Sequence, residues 1–331
     1  MPVYDDAAAE GGEHPGGIDG KGADLNAPLT LDWSPSPDAY DRILSRGAVP
    51  LEQAWHYGEA IAAVSRNGIR RAIVFRDGDP VGALQVAERI LPAGIRLVRI
   101  VRGPVIPDAA AATPGEIARA IRAGFPRWSR TLLFWMPDLP PEDAGRTLTP
   151  IGKRPMTAPY ATAWLDLSAS PEELRKRLRG NWRNQLRKAE ANPPDVWNRS
   201  RPADIDRFVA GYASERRRLR YRGPDEALAR CIFDRFGRQA LLLQAVSSGT
   251  TIASALFLRH HGSATYYLSW TRPEGREKSF SNYLIWQGIL LLKKSGTGWL
   301  DLGGLNAAAP GVASFKLGTG AQPKITSGTW F

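Results

Sequence analysis

The sequence predicts a mixed α/β protein built from two similar units. The pattern strand, turn, strand, strand, helix, strand occurs in outline in both halves of the chain. At 331 residues the chain exceeds one average domain, and its hydrophobic content of 43% is ample for a packed core. We therefore expect two domains, residues 29–155 and 156–331, each a mixed central sheet flanked by helices. Residues 1–28 are rich in Gly, Ala and Asp and predict a flexible tail.

Turn and cap residues place the elements of the first unit. Thr113 before Pro114 is typical of a helix start, because the threonine side chain can accept a hydrogen bond from a free backbone N–H of the first turn. Asp77-Gly78 lies between two β-like runs and predicts a tight hairpin. These patterns predict helices over residues 51–64 and 114–122, and strands over residues 70–75, 81–87, 95–101 and 131–136.

The elements of the second unit follow from the same signals. Ser170 before Pro171-Glu172-Glu173 predicts a helix start, with acidic residues at the positive end of the helix dipole. The predicted helices cover residues 171–189, 202–218, 224–236 and 279–294, and the predicted strands cover residues 160–166, 240–246, 251–259, 265–269 and 299–302. The glycine-rich segment 303–331 is expected to supply more strand and to hold Lys316 near a strand end.

Positive charge is concentrated in the second unit. The chain has a formal net charge of +11, and residues 171–222 contain fifteen Arg and Lys against seven Asp and Glu. Such a segment favours a polyanionic partner, and the aromatic residues within it are suited to stack on unpaired bases. A solvated basic helix face is the alternative. The candidate RNA- or phosphate-binding residues are Arg183, Arg187, Lys188, Arg216, Arg217, Arg218, Arg220 and Arg222.

Residue counts exclude some kinds of site. The single cysteine, Cys231, rules out an intrachain disulfide and a multi-cysteine zinc site. Adjacent His260 and His261 are expected to face opposite sides of a strand, so we predict no metal. The sequence also contains no nucleophile motif, and we predict no covalent intermediate. Without a long apolar run or a secretion-type N-terminus, we expect a cytoplasmic protein without stable membrane insertion, with peripheral association left open.

Several phrases of the sequence resemble the Fem-like (FemAB-type) transferases of the GNAT superfamily. Residues 183–190, RNQLRKAE, are similar to the family's R-x-x-x-R-K-A-E/K helix, and the preceding phrase 164–167, WLDL, fits the strand before it. Residues 53–60, QAWHYGEA, and Arg102-Gly103-Pro104 are similar to phrases of the family's first domain. Residues 300–304, LDLGG, then Gly311 and residues 315–318, FKLG, resemble its closing segment.

The resemblance implies two tandem GNAT-like domains and an enzyme that moves an aminoacyl group from aminoacyl-tRNA to an amine. The implied acceptor is a peptidoglycan precursor or another anionic, amine-bearing metabolite. The family's Phe-Lys pair maps onto Phe315-Lys316, so Lys316 is the candidate group that stabilises the oxyanion. Asp301 is the candidate base or amine-orienting carboxylate, with a turn-capping role as its alternative. The candidate substrate-binding residues are Phe315, Asn306, Tyr267, Trp270 and Arg276; core packing is the alternative for Tyr267 and Trp270.

The donor is inferred from the turn before the helix predicted over residues 279–294. Acyl-CoA enzymes of the GNAT superfamily hold pyrophosphate with a glycine-rich turn there, whereas residues 276–282 read REKSFSN and lack both glycines. The helix N-terminus still favours an anion. We therefore expect aminoacyl-tRNA as co-substrate and no cofactor. An acyl-CoA-dependent N-acyltransferase acting on a small amine or sugar, and a non-catalytic RNA-binding protein, are the alternatives.

Overall fold

Two mixed β-sheets form the framework of the protein. The computed structural model describes residues 27–45, 47–220 and 223–331. The first sheet has the order β1-β2-β3-β4-β5. Its strands are β1 (Leu29–Trp33), β2 (Gly68–Arg76), β3 (Asp79–Ile90), β4 (Arg96–Val101) and β5 (Thr131–Met136). Most of the predicted tail, residues 1–26, lies outside the described residues, as do Arg46, Tyr221 and Arg222.

The second sheet has seven strands in the order β12-β6-β11-β10-β9-β8-β7. Its strands are β6 (Tyr160–Asp166), β7 (Asp195–Asn198), β8 (Ala240–Ser247), β9 (Thr250–His260), β10 (Ser263–Thr271), β11 (Trp299–Gly304) and β12 (Gln322–Thr326). Strands β10 and β11 are parallel, and the other neighbours in this sheet are antiparallel.

The two sheets contain the same unit twice. In the first unit β1 to β4 are antiparallel and β5 is added parallel to β4. In the second unit β7 to β10 are antiparallel and β11 is added parallel to β10. In each unit a helix connects the two parallel strands, as such a connection requires. The predicted repeat of one α/β unit is therefore confirmed at the level of topology.

Eleven α-helices are present in the described part of the chain. They are α1 (Pro37–Leu44), α2 (Trp55–Val64), α3 (Pro114–Gly124), α4 (Pro141–Leu148), α5 (Pro171–Arg177), α6 (Gly180–Ala191), α7 (Pro202–Arg218), α8 (Glu226–Phe236), α9 (Pro273–Glu277), α10 (Phe280–Lys294) and α11 (Pro310–Leu317). The predicted helix starts are confirmed, because Thr113 and Ser170 each form a reciprocal capping box with the glutamate three residues later. The Asp77-Gly78 turn is confirmed too, with both residues at positive φ.

The structure corrects several predicted elements. Lys316 lies on helix α11 and not at a strand end, because residues 310–317 form a short helix after a turn. The helix predicted over residues 171–189 is two helices, since Leu178 and Arg179 adopt non-helical backbone angles between α5 and α6. Elements β1, α1, α4 and β7 were not predicted; all four are short, and short elements carry little periodicity.

The two units are joined by packing and by the C-terminal residues. Residues of the segment 51–60 share a buried apolar cluster with helices α7 and α8 of the second unit. At the end of the chain, Trp330 pairs with Trp135 of β5 through backbone hydrogen bonds of 2.7 and 2.8 Å. Buried contacts between units favour one fixed arrangement, because separating them would expose apolar surface.

Candidate active site

The second unit opens between its two parallel strands. Strand β11 pairs with β10 only from Trp299 to Asp301, and a bulge in β10 lies just beyond this stretch. Gly303 then adopts φ +80°, a backbone conformation that L side chains rarely adopt. A second irregularity against β6 follows between Asp301 and Gly304. These features turn β11 away from β10 and create a gap at the carboxyl ends of the strands.

A buried ion pair between the two units lies at the edge of this gap. Arg102, the residue after β4, donates from a terminal nitrogen to Asp301 Oδ2 at 2.9 Å, and the two side chains are 2% and 1% exposed. Glu52 lies 3.4 Å and Asp138 3.9 Å from the same guanidinium. Burial acts to lower the pKa of Arg102, but the three carboxylates outweigh this effect and raise it. The guanidinium therefore stays charged and holds the units together at this point.

Asp301 is also a turn-capping residue. Its Oδ1 accepts a hydrogen bond from the backbone N–H of Gly303 at 2.7 Å. The carboxylate thus fixes both the Arg102 guanidinium and the turn that opens the gap. With both oxygens engaged and the side chain buried, Asp301 is placed to position its neighbours more than to contact a substrate.

Helix α11 carries Phe315 and Lys316 to the gap. Lys316 Nζ donates to the carbonyl oxygen of Gly304 at 2.8 Å, and a Cβ on Gly303 would lie 3.5 Å from the same nitrogen. Burial lowers the pKa of the Lys316 ammonium, and the nearby Asp301 carboxylate opposes that effect. Phe315 is half-buried against Trp182 of α6, with ring centroids 6.2 Å apart. The helix therefore presents a positioned ammonium beside an aromatic ring.

Tyrosines and one partly exposed carboxylate lie near the Arg102 cluster. Tyr57 and Tyr267 form a T-shaped pair with ring centroids 6.1 Å apart. Burial raises the pKa of Tyr57 to about 12, so its phenol stays protonated at neutral pH. Burial also raises the pKa of the Glu52 carboxyl, with Arg102 opposing the shift. Since the Glu52 side chain keeps 29% of its surface exposed, it is the more accessible carboxylate beside Arg102.

Comparison with known proteins defines the fold around this site. Residues 176–323 match the family model described as "Acetyltransferase (GNAT) domain". The solved structure titled "Crystal structure of FemX" is similar to the chain with a TM-score of 0.76 at 14% identity, covering 90% of this chain and 96% of that one. The chain has the Fem-like GNAT fold.

Two further solved structures are less similar. A tandem GNAT protein from the clavulanic acid biosynthesis pathway has a TM-score of 0.51 at 15% identity, over 91% of this chain and 97% of that one. The structure of L-PGS from Bacillus licheniformis has a TM-score of 0.52 at 12% identity, over 89% and 91% of the two chains. No curated protein sequence matches the chain.

In this Fem-like GNAT fold, the turn before α10 is closed by its own hydrogen bonds. The glycine-poor stretch, residues 276–282, covers the end of α9, a two-residue turn and the start of α10. The amides of Arg276, Lys278 and Ser279 donate to carbonyl oxygens of the preceding residues 272–276. The hydroxyl of Ser279 donates to Gln185 on α6. Gly275 packs against β9, since an added Cβ would lie 2.9 Å from the Ile252 carbonyl oxygen. Few backbone amides are left here to hold a pyrophosphate.

Three predicted substrate-binding residues have structural partners elsewhere. Trp270 is buried in the core and donates from its indole nitrogen to the Phe208 carbonyl oxygen at 3.0 Å, so packing accounts for it. Arg276 is paired with Glu215 of α7. Asn306 is exposed in the turn after β11, where its side chain accepts from the Ala308 amide at 2.9 Å. The structure therefore brings Lys316, Asp301 and Phe315 together and leaves Trp270 and Arg276 outside the gap.

The predicted basic residues fall into two groups. On α7, Arg217 pairs with Glu226, Arg218 pairs with Glu215, and Arg216 donates to backbone carbonyls near residue 224. On α6, Arg187 and Lys188 are exposed, and within the described residues neither forms an ion pair. Arg183, on the same helix, donates to the Leu178 carbonyl oxygen. Arg220 is exposed at the end of α7, and Arg222 lies outside the described residues.

Sequence reasoning missed Arg102 and Glu52 as site residues. Arg102 appeared only as part of a family phrase, and Glu52 as a residue of a predicted helix. Both lie about two hundred or more residues from Asp301 in sequence, so their proximity follows from how the units pack. The available sequence signal was the family phrase Arg102-Gly103-Pro104 at the end of a predicted strand.

The described residues contain neither a metal-binding cluster nor a membrane-spanning helix. Within the described ranges, no group of three or more His, Cys, Asp or Glu side chains is arranged to hold a metal ion. Among the same residues, no helix combines the length and the apolar character needed to cross a bilayer. Contrary to the expectation of opposite faces, His260 and His261 have ring centroids 6.3 Å apart, because His261 leaves the strand at φ +53°.

Proposed function

We propose that this protein transfers an aminoacyl group from aminoacyl-tRNA to an amine. The observation that carries the proposal is the Lys316 ammonium, which is held by the Gly304 carbonyl oxygen at the gap between β10 and β11. A fixed cation in a partly buried site is suited to stabilise negative charge as it develops on a carbonyl oxygen. The similarity of the fold to FemX and the Phe315-Lys316 phrase support an aminoacyl donor.

The proposed reaction uses the ammonium at one step. The acceptor amine attacks the ester carbonyl carbon, a C–N bond forms, and the C–O bond to the tRNA ribose breaks. One proton passes from the amine to the departing ribose oxygen. Between these events the former carbonyl oxygen is negative, and Lys316 donates a hydrogen bond to it. In this proposal Phe315 stacks on the terminal base of the donor.

We assign the amine-orienting role to Glu52 and a positioning role to Asp301. Asp301 is engaged with Arg102 and Gly303, whereas Glu52 keeps an accessible carboxylate beside the same guanidinium. A carboxylate at this place accepts a hydrogen bond from the acceptor ammonium before it loses its proton. Glu52→Gln is then expected to raise KM for the acceptor and to leave KM for the donor nearly unchanged. An equal change in KM for the acceptor and KM for the donor would show that Glu52 does not orient the amine.

The turn before α10 favours a donor other than acyl-CoA. Its amides donate within the turn and Gly275 packs on β9, which disfavours pyrophosphate binding of the acyl-CoA kind. Exposed Arg187 and Lys188 on α6 supply positive charge for a polyanionic donor. The acceptor class proposed is an anionic, amine-bearing metabolite such as a peptidoglycan precursor, on the strength of the family resemblance.

A second candidate function is acyl-CoA-dependent N-acylation. It is favoured by the match of residues 176–323 to an acetyltransferase domain model, and by the similarity of the fold to a tandem GNAT protein whose structure was solved without AcCoA. In this case the anion site at the start of α10 would have to work without its two glycines.

The deciding experiment offers purified protein total aminoacyl-tRNA or a panel of acyl-CoAs, each with amine acceptors. We expect saturable binding of aminoacyl-tRNA and RNase-sensitive loss of the aminoacyl ester. Saturable acyl-CoA binding with RNase-insensitive transfer would replace the proposal by the second candidate. Tight tRNA binding with no transfer to any amine would favour a non-catalytic RNA-binding protein. If transfer is observed, Lys316→Met should impair it and leave RNA binding unchanged.

A further inference from the structure

The hairpin between β3 and β4 ends in an exposed apolar loop. Residues 90–95 read Ile-Leu-Pro-Ala-Gly-Ile, and Ile90 is 73% exposed. Trp128, in the turn before β5, is 85% exposed at the same end of the sheet. We call residues 90–95 together with Trp128 the apolar tip. Two large exposed apolar side chains therefore lie at one end of the sheet, and apolar surface that collects in one region often marks an interaction site.

The apolar tip is held in place by hydrogen bonds. The Leu91 amide donates to Ile95 at 2.8 Å and closes the loop, and the Arg96 amide donates to the Arg130 carbonyl oxygen at 3.0 Å. A terminal nitrogen of Arg130 donates back to the Ala93 carbonyl oxygen at 3.3 Å. The loop of residues 90–95 and the turn that contains Trp128 are therefore parts of one ordered surface. Leu132 is partly exposed beside them.

The second unit shows that this exposure is not a requirement of the fold. The corresponding turn, between β9 and β10, is covered by the segment after α1. Ser263 Oγ accepts from the Val49 amide at 3.0 Å, and Ser263 donates to the Gly47 carbonyl oxygen at 3.4 Å. His260 in this turn is buried. The same hairpin is thus covered in one unit and left open, with apolar residues, in the other.

The charge around the apolar tip is positive. Residues 89–101 contain three arginines and residues 117–137 contain four, and neither segment contains Asp or Glu. Arg89 and Arg119 are exposed, while the nearby Glu88 already pairs with Arg70 at 2.8 Å. Aliphatic residues and a tryptophan surrounded by arginines fit the boundary of an anionic bilayer, where the rings and aliphatic groups enter the acyl region and the arginines meet the headgroups.

We propose that the apolar tip docks the protein onto an anionic lipid surface. The alternative partner for arginine with tryptophan is RNA, in which an aromatic ring stacks on bases. Aliphatic Ile90, Leu91 and Pro92 have no such role, and they favour lipid over RNA. The proposal is independent of the transfer reaction, because the apolar tip lies at the end of the first sheet opposite to Arg102.

The test is flotation of the full chain with phosphatidylcholine vesicles that contain or lack phosphatidylglycerol. We expect binding to the anionic vesicles that weakens as salt rises. Ile90→Ser with Trp128→Ser should weaken binding at least about tenfold, since two exposed apolar side chains no longer enter the bilayer. Arg89→Gln with Arg119→Gln should weaken it about thirtyfold, at the contribution expected per arginine near an anionic surface.

Leu219→Ser is the matched control. Leu219 is 56% exposed and is also flanked by arginines, but it lies at the end of α7 in the second unit. Its substitution should leave flotation unchanged. Absence of binding to anionic vesicles, or equal loss with Leu219→Ser, would overturn the proposal. So would a tip variant that floats normally but binds total tRNA more weakly. Circular dichroism of each variant confirms that these surface changes leave the fold intact.

Discussion

The two α/β units share a topology but differ at their parallel strand pair. In the first unit β4 and β5 pair in register over six residues each, from Arg96 opposite Thr131 to Val101 opposite Met136. Beyond this stretch, the Arg102 amide still donates to the Met136 carbonyl oxygen at 2.7 Å. In the second unit only three residues of each strand pair before β11 turns away at Gly303.

This difference assigns separate tasks to the units. The closed pair of the first unit leaves no gap, and its end supplies a buried guanidinium. The open pair of the second unit receives Lys316 from α11, and in the proposed function it provides the space for the substrate. Arg102 of the first unit donates a hydrogen bond to Asp301 of the second unit, across the junction between the two units. The first unit therefore helps to fix the geometry of the gap in the second.

Breaking the junction should have the largest effect. Arg102→Met removes the partner of Asp301 and leaves that carboxylate buried without compensation. Loss of one member of a buried pair typically costs about 3–5 kcal/mol. We expect the free energy of unfolding, measured by urea denaturation, to fall by that amount.

Two variants test the interpretation of this change. Arg99→Met alters an exposed arginine of the same strand and should change stability by no more than about 0.5 kcal/mol. Adding Asp301→Asn to Arg102→Met should recover part of the loss, because the uncompensated charge is gone. A loss below about 1 kcal/mol in Arg102→Met would show that the pair does not hold the units together.

Removing the ammonium from the open unit is the next largest change. Lys316→Met keeps the apolar stem and should lower kcat for transfer by about 10²–10³-fold, the usual effect of losing one oxyanion donor. Lys294→Met is the matched control, since Lys294 is exposed at the end of α10. Unchanged kcat in a folded Lys316→Met variant would exclude the role.

The pH profile sharpens this test. Burial lowers the pKa of Lys316 below the ordinary value of 10.5, so the ammonium is lost at a lower pH than in a free lysine. Transfer should therefore decline as pH rises through the lowered value. Lys316→Arg, where active, should move the decline to higher pH, because a guanidinium stays protonated.

The sequence sufficed for the repeat because strands and helices carry local signals. The hairpin at Asp77-Gly78 and the capping boxes at Thr113 and Ser170 depend on residues within a few positions of one another. Short pieces without periodicity escaped prediction, including the helix that bears Lys316. This helix has only eight residues, PGVASFKL, and so short a segment has no distinctive periodic pattern.

The candidate site could be predicted only in part. Family resemblance pointed to Phe315-Lys316, and the structure places both at the gap. The ion pair of Arg102 with Asp301 spans 199 residues and cannot be read from either neighbourhood. Charge density did not reveal the ion pairs of α7, where Arg217 is paired with Glu226 and Arg218 with Glu215. Local sequence thus predicts which residues belong to a site more readily than it predicts which residues they pair with.

The covered turn of the second unit should respond to acid. Burial lowers the pKa of His260 to about 3 and of His261 to about 4. In the unfolded chain both titrate near 6.5, so the unfolded state binds more protons between pH 6.5 and 4, and stability falls as pH falls through this window. We expect a loss of about 5 kcal/mol over that range in urea denaturation.

Carboxylates also titrate near the lower end of that window, so a paired variant is needed. His260→Gln can keep the hydrogen bond to Thr265, now 2.9 Å long, and His261→Asn tolerates the positive φ of its position. The double variant should show a flatter dependence on pH between 6.5 and 5. An unchanged slope would assign the acid sensitivity to other groups.

The smallest effects are expected on the basic surface of the second unit. Arg217 and Arg218 are paired with glutamates at exposed positions, so Arg217→Ala with Arg218→Ala should change stability by no more than about 1 kcal/mol. For tRNA binding the free cations matter more than the paired ones. Each lost phosphate contact lowers the slope of log Kobs against log salt concentration by roughly 0.7–0.9. Arg187→Ala with Lys188→Ala should therefore lower the slope more than the α7 pair does, as fluorescence anisotropy at several salt concentrations would measure. If the α7 pair lowers it more, RNA must displace Glu215 and Glu226 from their arginines, and the donor then lies along α7 instead of α6.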